Sequence, residues 1–379
     1  MTLRRNALKG ILLISLGMIC TRTMAEPGVT DDTIKFGMSN PLSGNSAEYG
    51  RQLKLGMDIY FQHINNAGGI NGRKLEIVSL DDGYEASRTL ANTKALVEEH
   101  KVFALASYYG TNNIVNTAPY LSEVHVPLVG VISGAESIRE PANPYIFNTR
   151  ASYHDEAVAI TAQLDSLGMK NMGIIYLNNG FGRYGFSGVM TELTRLGRKP
   201  SMTAYLDPES PNIEAAAAEV EKANLQALVI AANHKPSADL IKAIHAKRHY
   251  PQIIVLSPVG ADALFKEIGP DSQGVGISQV MPFPWSTSVP IVKEYQDMLK
   301  KYGKEEAPSY YTLEGFVNAK LIVDALKKLG RDITRAKYIA ALEGTHDLGG
   351  FVLKYEGKNR SGTKFVEMTV VGKNGKVLR

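Results

Sequence analysis

The sequence predicts an α/β protein made of two successive halves, each a parallel sheet with helices on both faces. Three observations lead there. Short apolar runs alternate with longer stretches of helical spacing from residue 33 to residue 268, the order that builds parallel sheets. Most of the apolar runs end in a polar, glycine- or serine-containing loop ahead of a helix, which is where open α/β sheets place their ligands. The pattern then restarts after residues 145–150, as a second half requires.

In the first half, Ile34, Phe36 and Met38 alternate with Lys35 and Gly37, a strand period of two. The turn residues Asn40-Pro41-Leu42-Ser43-Gly44-Asn45 end it. Ser46 suits the N-cap of a helix over 47–66, whose Leu53, Met57, Tyr60, Phe61 and Ile64 share one face. Glycines at 68, 69 and 72 stop that helix. A strand over 75–80 runs into Asp81-Asp82-Gly83-Tyr84, followed by a helix over 85–99. A strand over 102–106 runs into Ser107-Tyr108-Tyr109-Gly110, followed by a helix over 111–123. A strand over 126–132 runs into Ser133-Gly134-Ala135-Glu136-Ser137.

The second half repeats this plan, with strands expected at 172–177, 202–206, 226–231, 252–256 and 274–280 and helices at 153–167, 183–196, 212–223, 236–247 and 261–268. Helices over 290–302, 308–329 and 334–342 and strands over 351–355 and 365–371 close the chain. Neither half closes on its own count, so these late elements must be shared.

Arg4, Arg5 and Lys9, the apolar run 11–20 and Thr23-Met24-Ala25 have the three-part layout of a secretory leader. The run is too short for a stable membrane anchor, and Arg4-Arg5 loosely resembles a twin-arginine signal. Removing residues 1–25 takes away four basic residues and no acid, so 42 − 4 = 38 basic residues face 38 acidic ones. The remaining chain is neutral, which argues against nucleic-acid binding. Cys20 is the only cysteine and leaves with the leader, so disulfides and thiol chemistry are excluded. The expected product is an exported, soluble periplasmic protein.

Several stretches resemble one known family: Phe36-Gly37-Met38-Ser39-Asn40-Pro41-Leu42-Ser43-Gly44, Gly68-Gly69-Ile70-Asn71-Gly72-Arg73-Lys74-Leu75, Asp81-Asp82-Gly83-Tyr84, Val126-Pro127-Leu128-Val129 and Phe147-Asn148-Thr149-Arg150. In order and spacing the chain resembles the type I periplasmic solute-binding proteins of the leucine/isoleucine/valine-binding kind. The resemblance implies two Rossmann-like lobes joined by three hinge segments and closing over a ligand. It places lobe I at 26–148 plus 281–345 and lobe II at 149–280 plus 346–379, with crossings near 147–150, 275–283 and 344–350. It implies a monomer that binds a small molecule without any cofactor or metal and delivers it to an ABC permease. A sensory protein that docks on a receptor or kinase is the alternative, since it needs the same closure.

By the same resemblance, loops matching Ser107 and Ala135 to Ser137 hold a ligand carboxylate, and Tyr49 and Phe181 pack over the ligand. Asp82, Tyr108, Asn233 and Ser257 stand at neighbouring strand ends and complete the expected site. Tyr108 and Tyr109 are adjacent, so in extended chain at most one faces the ligand. Amino-acid-binding members of the family use a glutamate in the loop that here reads Leu256-Ser257-Pro258-Val259-Gly260. Without it a buried ammonium lacks a partner. Either Asp82 or Glu136 replaces it, or the ligand is a carboxylate or amide, for which the strand-end aromatics suit a flat molecule.

Enzyme chemistry finds little support. No Gly-x-Ser-x-Gly elbow surrounds Ser133 or Ser187. His245 and His249 share a helix face, but Lys247 and Arg248 crowd it. The acids of His154-Asp155-Glu156 fit a helix start. The glycines at 68–72 lie between a helix and a strand, the wrong order for a phosphate loop.

Overall fold

The alternating apolar runs assemble into two parallel sheets, seen in a computed structural model that describes residues 26–379. The expected leader, 1–25, lies outside the described residues. The first sheet holds β1 (Thr33–Asn40), β2 (Lys74–Asp81), β3 (Ala104–Ala106), β4 (Leu128–Val129) and β5 (Ile146–Phe147), all parallel in the order 2-1-3-4-5. Between them run α1 (Ala47–Asn66), α2 (Ala86–Glu98) and α3 (Thr111–Val124).

After β5 the chain passes into α4 (Tyr153–Ser166), whose start is fixed by a capping box between Ser152 and Asp155. The second sheet then forms from β6 (Met172–Leu177), β7 (Met202–Leu206), β8 (Ala227–Ala231), β9 (Gln252–Val255) and β10 (Gly276–Gln279). Its helices are α5 (Gly180–Arg195), α6 (Ile213–Ala223), α7 (His234–Ala246) and α8 (Ala261–Ile268). The chain returns to the first sheet with α9 (Pro290–Tyr302), α10 (Tyr310–Lys327), α11 (Arg335–Leu342) and a hairpin of β11 (Gly344–Asp347) and β12 (Val352–Tyr355). Finally β13 (Glu367–Val371) pairs antiparallel with β10, and β14 (Val377–Leu378) with β13.

The first core explains how α10 is placed. Phe36 and Met38 of β1 pack with Met57 and Phe61 of α1 and with Phe316 and Ile322 of α10. Because α10 is covered on nearly all sides, it is apolar nearly all round. Gly56 of α1 and Gly315 of α10 let the two backbones touch. A Cβ at Gly56 would sit 2.0 Å from the Thr312 carbonyl oxygen, and one at Gly315 2.1 Å from that of Leu53. This contact pins the middle of α1 against the N-terminal half of α10.

One boundary differs from expectation. Residues 344–350 are not the third crossing, and 346–355 do not join the second lobe. Gly349 and Gly350, with φ of 98° and 81°, turn a hairpin whose Asp347 Oδ1 accepts both their N–H groups. Leu348, Phe351, Leu353 and Tyr355 then enter the first core. The chain crosses later, between β12 and β13, beside the first crossing. Asn148 N–H donates to the Arg360 carbonyl at 2.8 Å, and Gly362 N–H donates to the Asn148 carbonyl at 2.8 Å. The glycine pair that looked like a hinge supplies the positive φ of a tight turn.

Candidate functional site

The loop after β1 is fixed by one carboxylate. Asp81 accepts from Leu42 N–H at 2.7 Å, Ser43 Oγ at 2.5 Å and Gly83 N–H at 2.9 Å. Burial pushes this acid up, but the Ser43, Leu42 and Gly83 bonds outweigh it and hold it at about 2. The loop so fixed leads into the first turn of α1 and aims Tyr49 across the cleft.

Tyr49 joins three other tyrosines from separate elements of the first lobe. Its ring centroid lies 4.6 Å from that of Tyr311 and 5.5 Å from that of Tyr109, and Tyr84 stands 5.5 Å from Tyr109. The hydroxyls of Tyr49, Tyr311 and Tyr84 reach the second lobe. Tyr49 donates to the Val259 carbonyl at 2.7 Å, Tyr311 donates to the Pro258 carbonyl at 2.9 Å, and Asn233 Nδ2 donates to Tyr84 Oη at 3.3 Å. Burial raises the Tyr49, Tyr109 and Tyr311 hydroxyls well above their ordinary range, so they remain protonated. The two lobes are thus in contact in this structure.

Behind the tyrosines lies a buried charge cluster built from three parts of the fold. Arg150 comes from the first crossing and is 1% exposed. Its Nε lies 3.6 Å from Glu314 Oε1 of α10, and its Nη2 donates to Ser257 Oγ. Glu156 of α4 accepts from Ser257 N–H at 2.8 Å, Ser257 Oγ at 2.9 Å and Ser278 Oγ at 2.5 Å. Burial disfavours the charged form of Arg150, but Glu314 and Glu156 more than offset it, so the guanidinium stays charged. Burial raises Glu156 and Glu314 against the pull of Arg150. Arg150 Nε and Nη1 and Glu314 Oε1 have no hydrogen-bond partner, an arrangement that is costly in a finished interior.

Part of this assembly lines a cavity of about 600 Å³ between the lobes, a volume suited to a small organic ligand. Tyr49, Arg150, Ser257, Tyr311 and Glu314 form its inner wall, and Gln279, Met281 and Trp285 of the second crossing add to it. His234, whose ring burial lowers, stands 5.5 Å from Tyr49 on the same wall. Glu48, Arg51, Lys235 and Lys266 lie exposed at its rim. Among the described residues no group of His, Cys, Asp and Glu is arranged to hold a metal ion.

Of the residues expected from sequence, Tyr49 and Ser257 line this cavity, while Asn233 bonds Tyr84 across the lobes without lining it. The others are placed elsewhere. Ser107 donates to Met57 Sδ at 3.1 Å and accepts from Asn318 Nδ2 at 2.9 Å, inside the first lobe. Its φ of 54° turns the chain, sending Tyr108 inward to Thr93 and Tyr109 to the cleft. Tyr108 and Tyr109 thus point to opposite sides, with Tyr109 against the rings of Tyr49 and Tyr311. Asp82 is fully buried against Ser39, Thr89 and the Tyr84 N–H. Ala135 is core, Ser137 is exposed, and Phe181 packs on Tyr153 at 5.3 Å. Glu136 faces the His154 N–H at 3.3 Å. Sequence reasoning missed Arg150, Glu156, Tyr311, Glu314 and His234 as site residues. Glu314 carried a usable signal, as an acid between Leu313 and Phe316 on a helix that is otherwise apolar.

Two parallel-sheet lobes, joined by three crossings and enclosing a cavity at their junction, define a two-lobed solute-binding protein. The family described as periplasmic binding protein matches residues 33–373, and the chain belongs to it. It is 22% identical to the Leu/Ile/Val-binding protein homolog 7 of Brucella abortus, over 92% of this chain and 91% of that protein. It is similar in structure to a possible leucine/isoleucine/valine-binding protein from Rhodopirellula baltica, with a TM-score of 0.86, 28% identity and coverage of 94% and 98%. It is also similar to a fatty acid ABC transporter substrate-binding protein from Thermomonospora curvata, with a TM-score of 0.83, 21% identity and coverage of 93% and 92%. The family is one of extracytoplasmic binding proteins, not enzymes. Among the described residues no helix is long and apolar enough to cross a membrane.

Proposed function

We propose that this protein captures a small carboxylate, amide or amino-acid-like solute between its two lobes and passes it to an ABC permease. It acts as an exported monomer, with 26–148 and 281–355 forming one lobe and the remaining segments the other. The observation that carries the reading is Arg150. A guanidinium with two unpartnered nitrogens, buried on the wall of an inter-lobe cavity, suits an acid or amide oxygen.

Closure follows from the same geometry. A solute that touches Arg150 and Ser257 on one side and Tyr49 and Tyr311 on the other contacts both lobes only when they are together. Its differential affinity for that state shifts the population. The relatives' names run from branched-chain amino acids to fatty acids, and Arg150 narrows that range toward small polar acids and amides. Native mass spectrometry of the purified protein, before and after stripping by partial unfolding, tests the reading. A bound small molecule, whose return compacts the protein in X-ray scattering, is the expected result. No bound species and no compaction with any co-purified extract would overturn it.

A further inference from the structure

We infer that His234 makes closure of the cleft sensitive to pH: its imidazole, held in the second lobe against Tyr49 of the first, favours the open form once protonated. The basis is the place of the ring. His234 is the first residue of α7 and is 9% exposed. Its ring lies 5.5 Å from that of Tyr49, with 74° between the planes. Tyr49 is also the residue whose hydroxyl donates to the Val259 carbonyl across the cleft. The imidazole is therefore covered in part by the opposite lobe, beside a bond that holds the lobes together. It regains water when they part.

A charge on this ring is disfavoured in the closed form on two counts. Burial strips its water. The start of a helix carries partial positive charge, which repels a cation, and the cap residue Asn233 makes no side-chain capping bond. The neighbouring charges do not reverse this. From α7 comes Lys235, paired with Asp239 at 2.5 Å. From α8 come Asp262, Lys266 and Glu267, and from α1 come Glu48 and Arg51, which pair with each other at 2.7 Å. Around the cavity these are three acids and three bases. The acids of α6 are exposed, with Glu221 set against Lys247 at the far end of α7, where Asp271 of the turn 269–272 also meets His245. The Tyr49 ring offers a cation an attraction smaller than the cost of burial. Burial lowers the His234 ring below its ordinary 6.5, Glu267 opposes this and Lys235 adds to it.

In the open form the ring is in water and takes up its proton near 6.5. In the closed form it does so at lower pH. Above 6.5 it is neutral in both forms and closure is undisturbed. As pH falls from 6.5 toward the closed-form value, the open form binds more protons and gains population. Glu156, Glu314 and Asp262 are raised by lost solvation and act in the opposite sense where closure buries them. The effect of His234 is therefore the difference between the parent and a variant without the ring.

X-ray scattering of the stripped, empty protein from pH 8 to pH 5 tests this. Fluorescence of Trp285, the only tryptophan and part of the cavity wall, gives a second readout. The parent is compared with His234→Asn and His234→Gln, which cannot take the proton, and with His234→Lys, which carries a charge throughout. Relative to the two amides, the parent's ratio of closed to open protein should fall about fivefold or more between pH 7.5 and pH 5.5. His234→Lys should be as open at pH 8 as the parent is at pH 5.5. The same pH profile in the parent and the amides, a lysine variant that stays closed, or a parent that is open at every pH would overturn the inference. The second amide serves if the first does not fold. Because the protein is empty, the result does not depend on which solute the cleft takes, and a failure to find that solute leaves it unchanged.

Discussion

The two walls of the cleft differ in kind. The first lobe presents side chains: the rings of Tyr49, Tyr109 and Tyr311 and the free carboxylate oxygen of Glu314. The second lobe meets those rings with backbone, the Pro258 and Val259 carbonyls, and adds Ser257 and His234 to the cavity, with a Glu156 behind them that its own serines satisfy. Arg150 stands between them on a crossing segment and touches both. The contrast teaches that the lobes meet through first-lobe side chains set against second-lobe main chain.

The largest expected effect comes from removing what the walls share. Arg150→Met leaves Glu156 and Glu314 buried without a countercharge, and should destabilise the protein by about 3–5 kcal/mol. Urea denaturation checks this, and a loss well under that range would mean that neither wall depends on Arg150. Glu314→Gln should act in the opposite sense on the empty protein. Burial holds Glu314 above its ordinary value of 4.5, so the folded state takes up a proton at higher pH than the unfolded chain. Between those two values the folded state binds more protons, and stability falls as pH rises. The glutamine removes that loss, because Arg150 keeps Glu156. The variant should therefore be more stable than the parent at pH 7, with the gap closing toward pH 4.5. A gap independent of pH would contradict the raised acid.

Smaller effects separate the lobes further. Tyr49→Phe deletes the bond to the Val259 carbonyl and should cost the closed form about 1 kcal/mol, roughly fivefold in population. X-ray scattering of the empty protein would then show a larger radius of gyration, and an unchanged radius would deny the bond a role in closure. Ser107→Ala should be the mildest. It removes contacts to Met57 and Asn318 inside the first lobe, so stability should fall by about 1 kcal/mol or less and affinity should not change. A clear loss of affinity would restore Ser107 to the site.

Periodicity made the two sheets, their helices and the restart near residue 150 readable, because burial on one face writes itself into the sequence. The third crossing was not readable, since Gly349-Gly350 serves a tight turn as well as a hinge. The site was legible only in part. Tyr49 and Ser257 sit at strand ends, where the topology of the sheet forces them to the cleft. Ser107 and Tyr108 sit at a strand end too, but a single left-handed residue reverses which side chain faces out. Glu314 and Tyr311 lie on a helix 160 or more residues after Arg150. Their meeting depends on α10 docking against α1 at Gly56 and Gly315, a tertiary event with no local signature.

The tyrosine bonds across the cleft have a consequence for descent. Tyr49 and Tyr311 grip main-chain oxygens, which every amino acid possesses. Side chains at positions 258 and 259 can therefore drift without unlatching the lobes. The loop can change its side chains there and keep the contacts that hold the lobes together.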